Sequence, residues 1–185
     1  MKSFFTVFLL LPAIAQAFEV ERSGFILGLT AGAHSTRIEN DTYNISSNSG
    51  EAGSYDHVES LSGAFSSIRV GGGIGNRHAI LALFEAYGYN GENKSTSYMH
   101  YLGPEYVFYG DRNYISDFVS ISIGNTVSGN RHDKYLGTGI NLGLGVDLYG
   151  IVVRFDSMFT AQEESSNKLN RTIVSNRLSI SFMGY

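Results

Sequence analysis

A chain of 185 residues, 43% of them apolar, is sized for one domain. It holds no cysteine, which excludes a disulfide framework, a thiolate metal site and a lipid-anchoring cysteine. The formal charge of −4, with lysine and arginine scattered, leaves no basic stripe for nucleic acid, so no nucleic-acid partner is expected.

The first element is a targeting segment. Met1 and Lys2 form a short positive start, Phe4 to Ile14 an apolar run, and Ala15-Gln16-Ala17 offers small residues where a signal peptidase reads. The run is well short of the roughly 20 residues a spanning helix needs. Residues 1–17 are therefore read as a cleaved signal peptide and 18–185 as the mature domain. No later segment is long and apolar enough to span as a helix, so any membrane crossing must use strands.

A two-residue period then recurs down the chain. Phe25, Leu27, Leu29, Ala31 and Ala33 alternate with Gly24, Ile26, Gly28, Thr30, Gly32 and His34, and Ile68, Val70, Gly72 and Ile74 alternate with Ser67, Arg69, Gly71 and Gly73. Runs near 79–88 and 98–109 follow, and then Val119, Ile121 and Ile123 facing away from Phe118, Ser120, Ser122 and Gly124. The longest run is Leu136 to Leu148, where Thr138, Ile140, Leu142, Leu144 and Val146 alternate with a face made mostly of glycine. Ile151, Val153, Phe155 and Phe159 oppose Arg154, Asp156, Met158 and Thr160, and Leu178, Ile180 and Phe182 oppose Arg177, Ser179 and Ser181. Eight strands result. A soluble strand does not present glycine to water opposite an aliphatic face, whereas a narrow membrane barrel turns aliphatics to lipid and small or polar groups inward.

The connections agree with that reading. Polar spacers near 35–62, 89–97, 125–134 and 161–170 alternate with tight turns at Gly75-Asn76-Arg77-His78, at Gly110-Asp111-Arg112-Asn113 and around Gly150. Strict long-short alternation is expected of an up-and-down barrel with outer loops and short periplasmic turns. The predicted fold class is all-β: an eight-stranded antiparallel up-and-down transmembrane β-barrel in a bacterial outer membrane.

The segments GFILGLTAGAH at the mature start, YLGPEYVFY in the fourth strand, GTGINLGLGVDLY in the sixth and the last strand running to Tyr185 resemble the small eight-stranded outer-membrane barrels of the OmpA-like, OmpX/Ail and opacity type. The resemblance covers nearly all of the mature chain as a pattern. It implies outer-membrane lipid and lipopolysaccharide as surroundings, delivery to the barrel-assembly machinery through the C-terminal strand ending at Tyr185, and an adhesion- or resistance-like role. Phe182 and Tyr185 fall on opposite phases, a departure from the family's usual assembly signal.

If these phases hold, Arg69, Arg154 and Arg177 point inward together with Glu85, Glu105, Asp147 and Asp156. A turn about Arg77 would make Arg69 and Glu85 cross-strand neighbours, and a turn about Gly150 and Ile151 would do the same for Asp147 and Arg154. Opposed charges in a low-dielectric interior need partners, so the set reads as a structural plug; the competing reading is an ion path. The narrow bore of eight strands favours the plug.

Tyr87, Tyr89, Tyr98, Tyr101, Tyr106, Phe108, Tyr109, Tyr114 and Tyr149 read as an interfacial girdle ahead of a sugar-binding platform. His34, His57, His78, His100 and His132 show no ligand spacing, and His34-Ser35-Thr36 departs from the His-x-Ser element of outer-membrane lipid A deacylases, so neither a metal, a cofactor nor an enzyme is expected. Gly71-Gly72-Gly73-Ile74-Gly75 mimics a phosphate loop without the alternating helices that a dinucleotide fold needs. Pro104 is expected at a bulge or near the rim, and Asp117 on the lipid phase close to the periplasmic interface. The acids of the first outer loop, Glu39, Asp41, Glu51, Asp56 and Glu59, read as a solvated surface, with divalent cation or lipopolysaccharide bridging as the alternative. Two functions remain, a structural or surface-interaction protein meeting an unidentified extracellular ligand, preferred, and a small passive pore, with an outer-membrane lipid-modifying enzyme as a distant third.

Overall fold

The computed structural model describes residues 22–43, 54–90, 96–110, 115–130, 133–164 and 170–185. The signal segment, Glu51, His132, Tyr114 and most of the second short turn lie outside the described residues. Eight strands form one closed antiparallel barrel in chain order: β1 Gly24–Tyr43, β2 Ser54–Ile74, β3 His78–Asn90, β4 Tyr98–Tyr109, β5 Ile115–Gly129, β6 Lys134–Leu148, β7 Ile151–Glu164 and β8 Asn170–Gly184. β8 closes on β1, with Leu29 opposite Phe182 and Asn40 opposite Arg171.

Register fixes the bore. A row followed from Leu148 through Ile151, Phe182, Leu29, Ile68, Phe84, Leu102 and Asn125 returns to β6 at Thr138, ten residues along the strand from Leu148. At about 3.3 Å per residue and about 4.8 Å between strands, this stagger tilts the strands by about 40° and closes a backbone cylinder about 17 Å across. Side chains alone can fill that width.

The faces follow the two-residue period. One outward aliphatic or aromatic from each strand, Leu29, Ile68, Phe84, Leu102, Ile123, Ile140, Phe155 and Ile180, is 42% to 60% exposed, and together they form a continuous belt. A belt of this extent far exceeds the isolated apolar patches of soluble proteins, and burying it requires hydrocarbon. The inward positions carry mainly glycine, small hydroxyls, charged groups and packed apolar side chains, with His34, Asn141 and Gln162 among them. Two apolar clusters fill the ends of the bore. The one at the short-turn end contains Ile26, Leu81, Val107, Tyr109, Phe118, Val152 and Met183; the one toward the outer loops contains Ile38, Leu61, Phe65, Tyr87, Tyr89, Met99, Tyr101, Met158 and Ile173.

Four expectations change. Strands β1 and β2 continue, paired, to Tyr43 and Ser54, so most of the 35–62 spacer is strand rather than loop. The cause is that a hydrogen-bonded ladder needs no hydrocarbon: above the apolar belt the outward face becomes Ser35, Arg37 and Glu39 and pairing simply goes on. Likewise β5 runs to Gly129 and β7 to Glu164, both inside segments read as spacers. The second hairpin turns about Asn76, with Ile74 opposite His78, because Gly75 and Asn76 take the positive φ values of 61° and 63° and leave Arg77 in ordinary backbone. The β6–β7 hairpin turns on Tyr149 and Gly150, φ 57° and 87°, a two-residue primed turn with Leu148 opposite Ile151.

Pro104 is the last of these corrections. It sits mid-strand, opposite Ala82, and causes neither a bulge nor a shift. On the β5 side pairing lapses at Gly103 and Pro104 and resumes at Glu105 opposite Ser122, in the register set by Leu102 opposite Asn125. The missing N–H is absorbed by two skipped pairs. Asp117 is outward and exposed two residues into β5, where the short-turn rim was expected to hold it.

Candidate functional site

Six of the seven charges expected to point inward form one closed ring. Arg69 Nε donates to Glu105 Oε2 at 2.8 Å, and Arg154 Nη2 donates to Glu105 Oε1 at 2.7 Å and to Asp156 Oδ1 at 2.6 Å. Arg177 Nη1 donates to Glu85 Oε2. Two looser contacts of 3.8 Å, Arg177 to Asp156 and Arg69 to Glu85, complete the circuit. Three guanidinium groups alternate with three carboxylates, so the ring is neutral, and each of the six residues is at most 3% exposed. Charges so deeply desolvated are stable only when paired and hydrogen-bonded, and this alternation gives every ion two neighbours of opposite sign.

Neutral groups tie the ring to the wall. Arg69 Nη1 donates to Thr30 Oγ1 and Ser67 Oγ, both at 2.7 Å, and Arg154 Nη2 donates to Ser120 Oγ at 2.9 Å. Tyr87 donates to Glu85 at 2.6 Å, and Arg177 donates to Tyr87 and to Asn141 Oδ1. Glycine supplies the room: a Cβ on Gly143 would collide with Asp156 Oδ1, Ser120 Oγ and Arg154 Nη2. That contact accounts for glycine at 143, while Gly137 and Gly145 are instead held against the backbone oxygens of Ala161 and Val153.

The pairings differ from the two expected. Arg69 lies opposite Leu83 and Glu85 opposite Ser67, so these two are diagonal neighbours, and the short partner of Arg69 is Glu105 across β3 on β4. Arg154 lies opposite Gly145, not Asp147. Both differences come from the turn centres described above, since moving a turn by one residue moves the register by two while leaving every side chain on its face.

Asp147 stands apart from the ring, at the short-turn end. It accepts from Arg22 Nε at 3.3 Å, from the Gly150 N–H at 2.8 Å and from the Tyr185 hydroxyl. Arg22 also lies over the Tyr109 ring, 4.2 Å from its centroid. One carboxylate thus gathers the residue just before β1, the β6–β7 turn and Tyr185. Phe182 faces out while Tyr185 reaches in, which is the meaning of their opposite phases. Arg171 marks the other end: Nε donates to Gln162 at 2.8 Å, Nη1 to Thr96 at 3.0 Å, Nη2 to Ser128, and the guanidinium covers Tyr135 at 3.5 Å.

Arg22 and Arg171 were missed because one precedes the first alternation and the other adjoins a segment read as spacer. Arg171 shares the phase of Arg177 six residues on, and that was a usable signal. The aromatic girdle needs a larger correction. Tyr87, Tyr89, Tyr101 and Tyr109 are buried in the bore, at 7% exposure or less, while Tyr106 and Tyr149 face outward at 41% and 65%. Tyr87 and Tyr89 follow Glu85 at steps of two, and Tyr101 and Tyr109 share the phase of Glu105, so one parity rule sorts all four inward.

His34 accepts or donates to Thr36 Oγ1 at 3.0 Å and donates to the Gly88 carbonyl at 3.1 Å, both inside the bore, whereas Ser35 faces out. The His34-Ser35-Thr36 run therefore offers no paired groups to lipid. Among the described residues no three of His, Cys, Asp and Glu converge as metal ligands.

Fold and face together define the class: a small eight-stranded barrel of the outer-membrane type, with lipid-facing aliphatics and a charged, filled interior. Among solved structures the chain is similar in fold to Neisserial surface protein A, with a TM-score of 0.54 and 15% identity over 88% of this chain and 97% of that one. It is also similar to Ail, the attachment invasion locus protein of Yersinia pestis, with a TM-score of 0.51 and 12% identity over 86% of this chain and 99% of that one. No protein-family model and no curated protein matches the chain.

Proposed function

We propose that this is an outer-membrane surface protein, exported by cleavage after Ala17, whose barrel is a closed pedestal for its extracellular β1–β2 hairpin and outer loops. The observation that carries the reading is the neutral six-membered charge ring spanning the bore, with apolar side chains packed on both sides of it. A bore about 17 Å across, backbone to backbone, leaves no aqueous path once three arginines and their acids are inside it. The β1–β2 hairpin is the longest part of the molecule, running to Tyr43 and from Ser54, well past the apolar belt. Long outer elements on a rigid scaffold are where such proteins carry recognition. Outer-membrane lipid and lipopolysaccharide surround the belt, and the C-terminal strand is the segment offered to the barrel-assembly machinery.

The hairpin sequence carries Glu39, Asp41, Asp56 and Glu59. Ail has been crystallised with the heparin analogue sucrose octasulfate; acidic residues here favour a ligand of a different chemistry, neutral or cationic. A passive pore is the second reading, supported by the two 3.8 Å links at which the ring is loosest.

Two measurements test the proposal. In planar bilayers the purified protein is expected to give no reproducible unitary conductance; stable channels that vanish on Arg69→Ala would overturn the pedestal. Deleting residues 38–60 is expected to abolish binding to host cells or matrix while leaving heat-modifiable gel mobility, and unchanged binding would overturn the surface role.

A further inference from the structure

Above the apolar belt, one flank of β2 has no strand on it. β3 joins β2 only from Asn90 opposite Ser62 downward, whereas β1 accompanies β2 from Thr36 opposite Leu61 up to Tyr43 opposite Ser54. Ser54–Leu61 is therefore paired on one side and, among the described residues, unpaired on the other. Every second residue of such a stretch turns its N–H and C=O toward the open side, over about 26 Å at about 3.3 Å per residue. Thr96 and Ser97, just before β4, are engaged across the mouth by Arg171 and by the Gly129 carbonyl, not along β2.

Exposed edges are normally blunted by lysine, proline or a bulge. This one has none of the three: Ser54–Leu61 contains neither proline nor lysine, and its pairs with β1 run one to one. On the other flank of the hairpin β8 covers β1 up to Asn40 opposite Arg171, which leaves only Asp41 to Tyr43 open there, too short for a strand. A bare row of alternating backbone donors and acceptors is complementary to another extended chain. Charge decides whose. Asp56 and Glu59 lie in the edge segment, and Glu39 and Asp41 in β1 beside it, against Arg37 alone, which pairs with Glu39 at 2.7 Å. A second copy joined edge to edge would bring two sets of these acids to one seam, where like charges repel.

We propose that the Ser54–Leu61 edge of β2 binds an extended segment of a partner protein rich in lysine or arginine, by strand addition. The partner's backbone completes the ladder and its basic side chains answer the acids of the hairpin. The inference deepens the surface-interaction reading, on which it rests, by naming the chemistry of the partner. Val58, 46% exposed, and the exposed Ser60 give the added strand an uncharged row on the outward face.

The probe is a fluorescent peptide of alternating lysine and valine, about eight residues long to match the edge, titrated by anisotropy against the mature protein in zwitterionic micelles. It is expected to bind at least about tenfold more tightly than the same peptide with glutamate in place of lysine. N-methylating its amides removes the backbone donors and keeps every charge, and should weaken binding at least about tenfold. Asp56→Lys combined with Glu59→Lys should invert the preference toward the glutamate peptide. Heat-modifiable gel mobility shows that the variant is a folded barrel. A folded wild type that does not bind the lysine peptide, binding indifferent to N-methylation, a preference that survives the charge reversal, or hairpin edges joined in a dimer would each overturn the strand site. If deletion of residues 38–60 abolishes cell binding while no peptide binds, the strand site fails and the surface reading stands. Unchanged cell binding after that deletion, with the lysine peptide bound by the intact protein, would overturn the surface reading instead.

Discussion

Glu105→Ala is the sharpest perturbation of the ring, because this carboxylate joins Arg69 at 2.8 Å to Arg154 at 2.7 Å. Its removal leaves three guanidinium groups facing two acids in a site from which water is excluded. At an effective dielectric of about 20, each contact is worth about 4 kcal/mol, or about 8 kcal/mol for the two. Release of the carboxylate's own desolvation penalty returns several kcal/mol, which puts the net loss at about 3–5 kcal/mol. The assay is equilibrium urea unfolding in lipid vesicles, with the folded fraction read from gel mobility of unboiled samples. A control of equal length and opposite burial is available: Arg37 and Glu39 pair at 2.7 Å with side chains 60% and 47% exposed. Glu39→Ala should cost less than about 1 kcal/mol. Adding Arg154→Met to Glu105→Ala restores neutrality and should recover part of the loss. If Glu105→Ala costs no more than Glu39→Ala, the ring does not hold the barrel and the reasoning fails.

Two further outcomes follow from the same geometry. Gly143→Ala pushes a methyl into Asp156, Ser120 and Arg154 and should destabilise by about 1–3 kcal/mol in the same titration; an unchanged midpoint would mean that the ring adjusts freely. Leu144→Arg, at a position 57% exposed near the middle of the belt, should cost about 2–4 kcal/mol in vesicles, whereas a water-facing position would tolerate it with no change.

Strand number, order and the face of each side chain were legible in the sequence, because the bilayer imposes one alternation on every strand and glycine marks the cramped side. That parity alone placed Arg69, Glu85, Glu105, Asp147, Arg154, Asp156 and Arg177 in the bore. Who pairs with whom was less legible. It depends on turn centres, and the Gly-Asn and Tyr-Gly steps that set them need positive φ at particular residues rather than a general tendency to turn. Contacts that skip a strand, such as Arg69 on β2 reaching Glu105 on β4, depend on barrel stagger and have no sequence signature. Strand length outside the membrane was illegible from apolar residues, since the ladder of β1 and β2 continues on polar ones. The tyrosines illustrate a different gap: composition suggested an interface, while the parity of Glu85 and Glu105 already pointed four of them inward.

The account stands on which flank of each strand meets hydrocarbon. With no native cysteine, single cysteines can be walked from Ile140 to Val146 of β6 and spin-labelled in vesicles. Accessibility to dissolved oxygen should peak at 140, 142, 144 and 146 and drop at 141, 143 and 145, with little access for a water-soluble nickel complex at any position. High nickel accessibility at the even positions would place that flank in water and contradict the account.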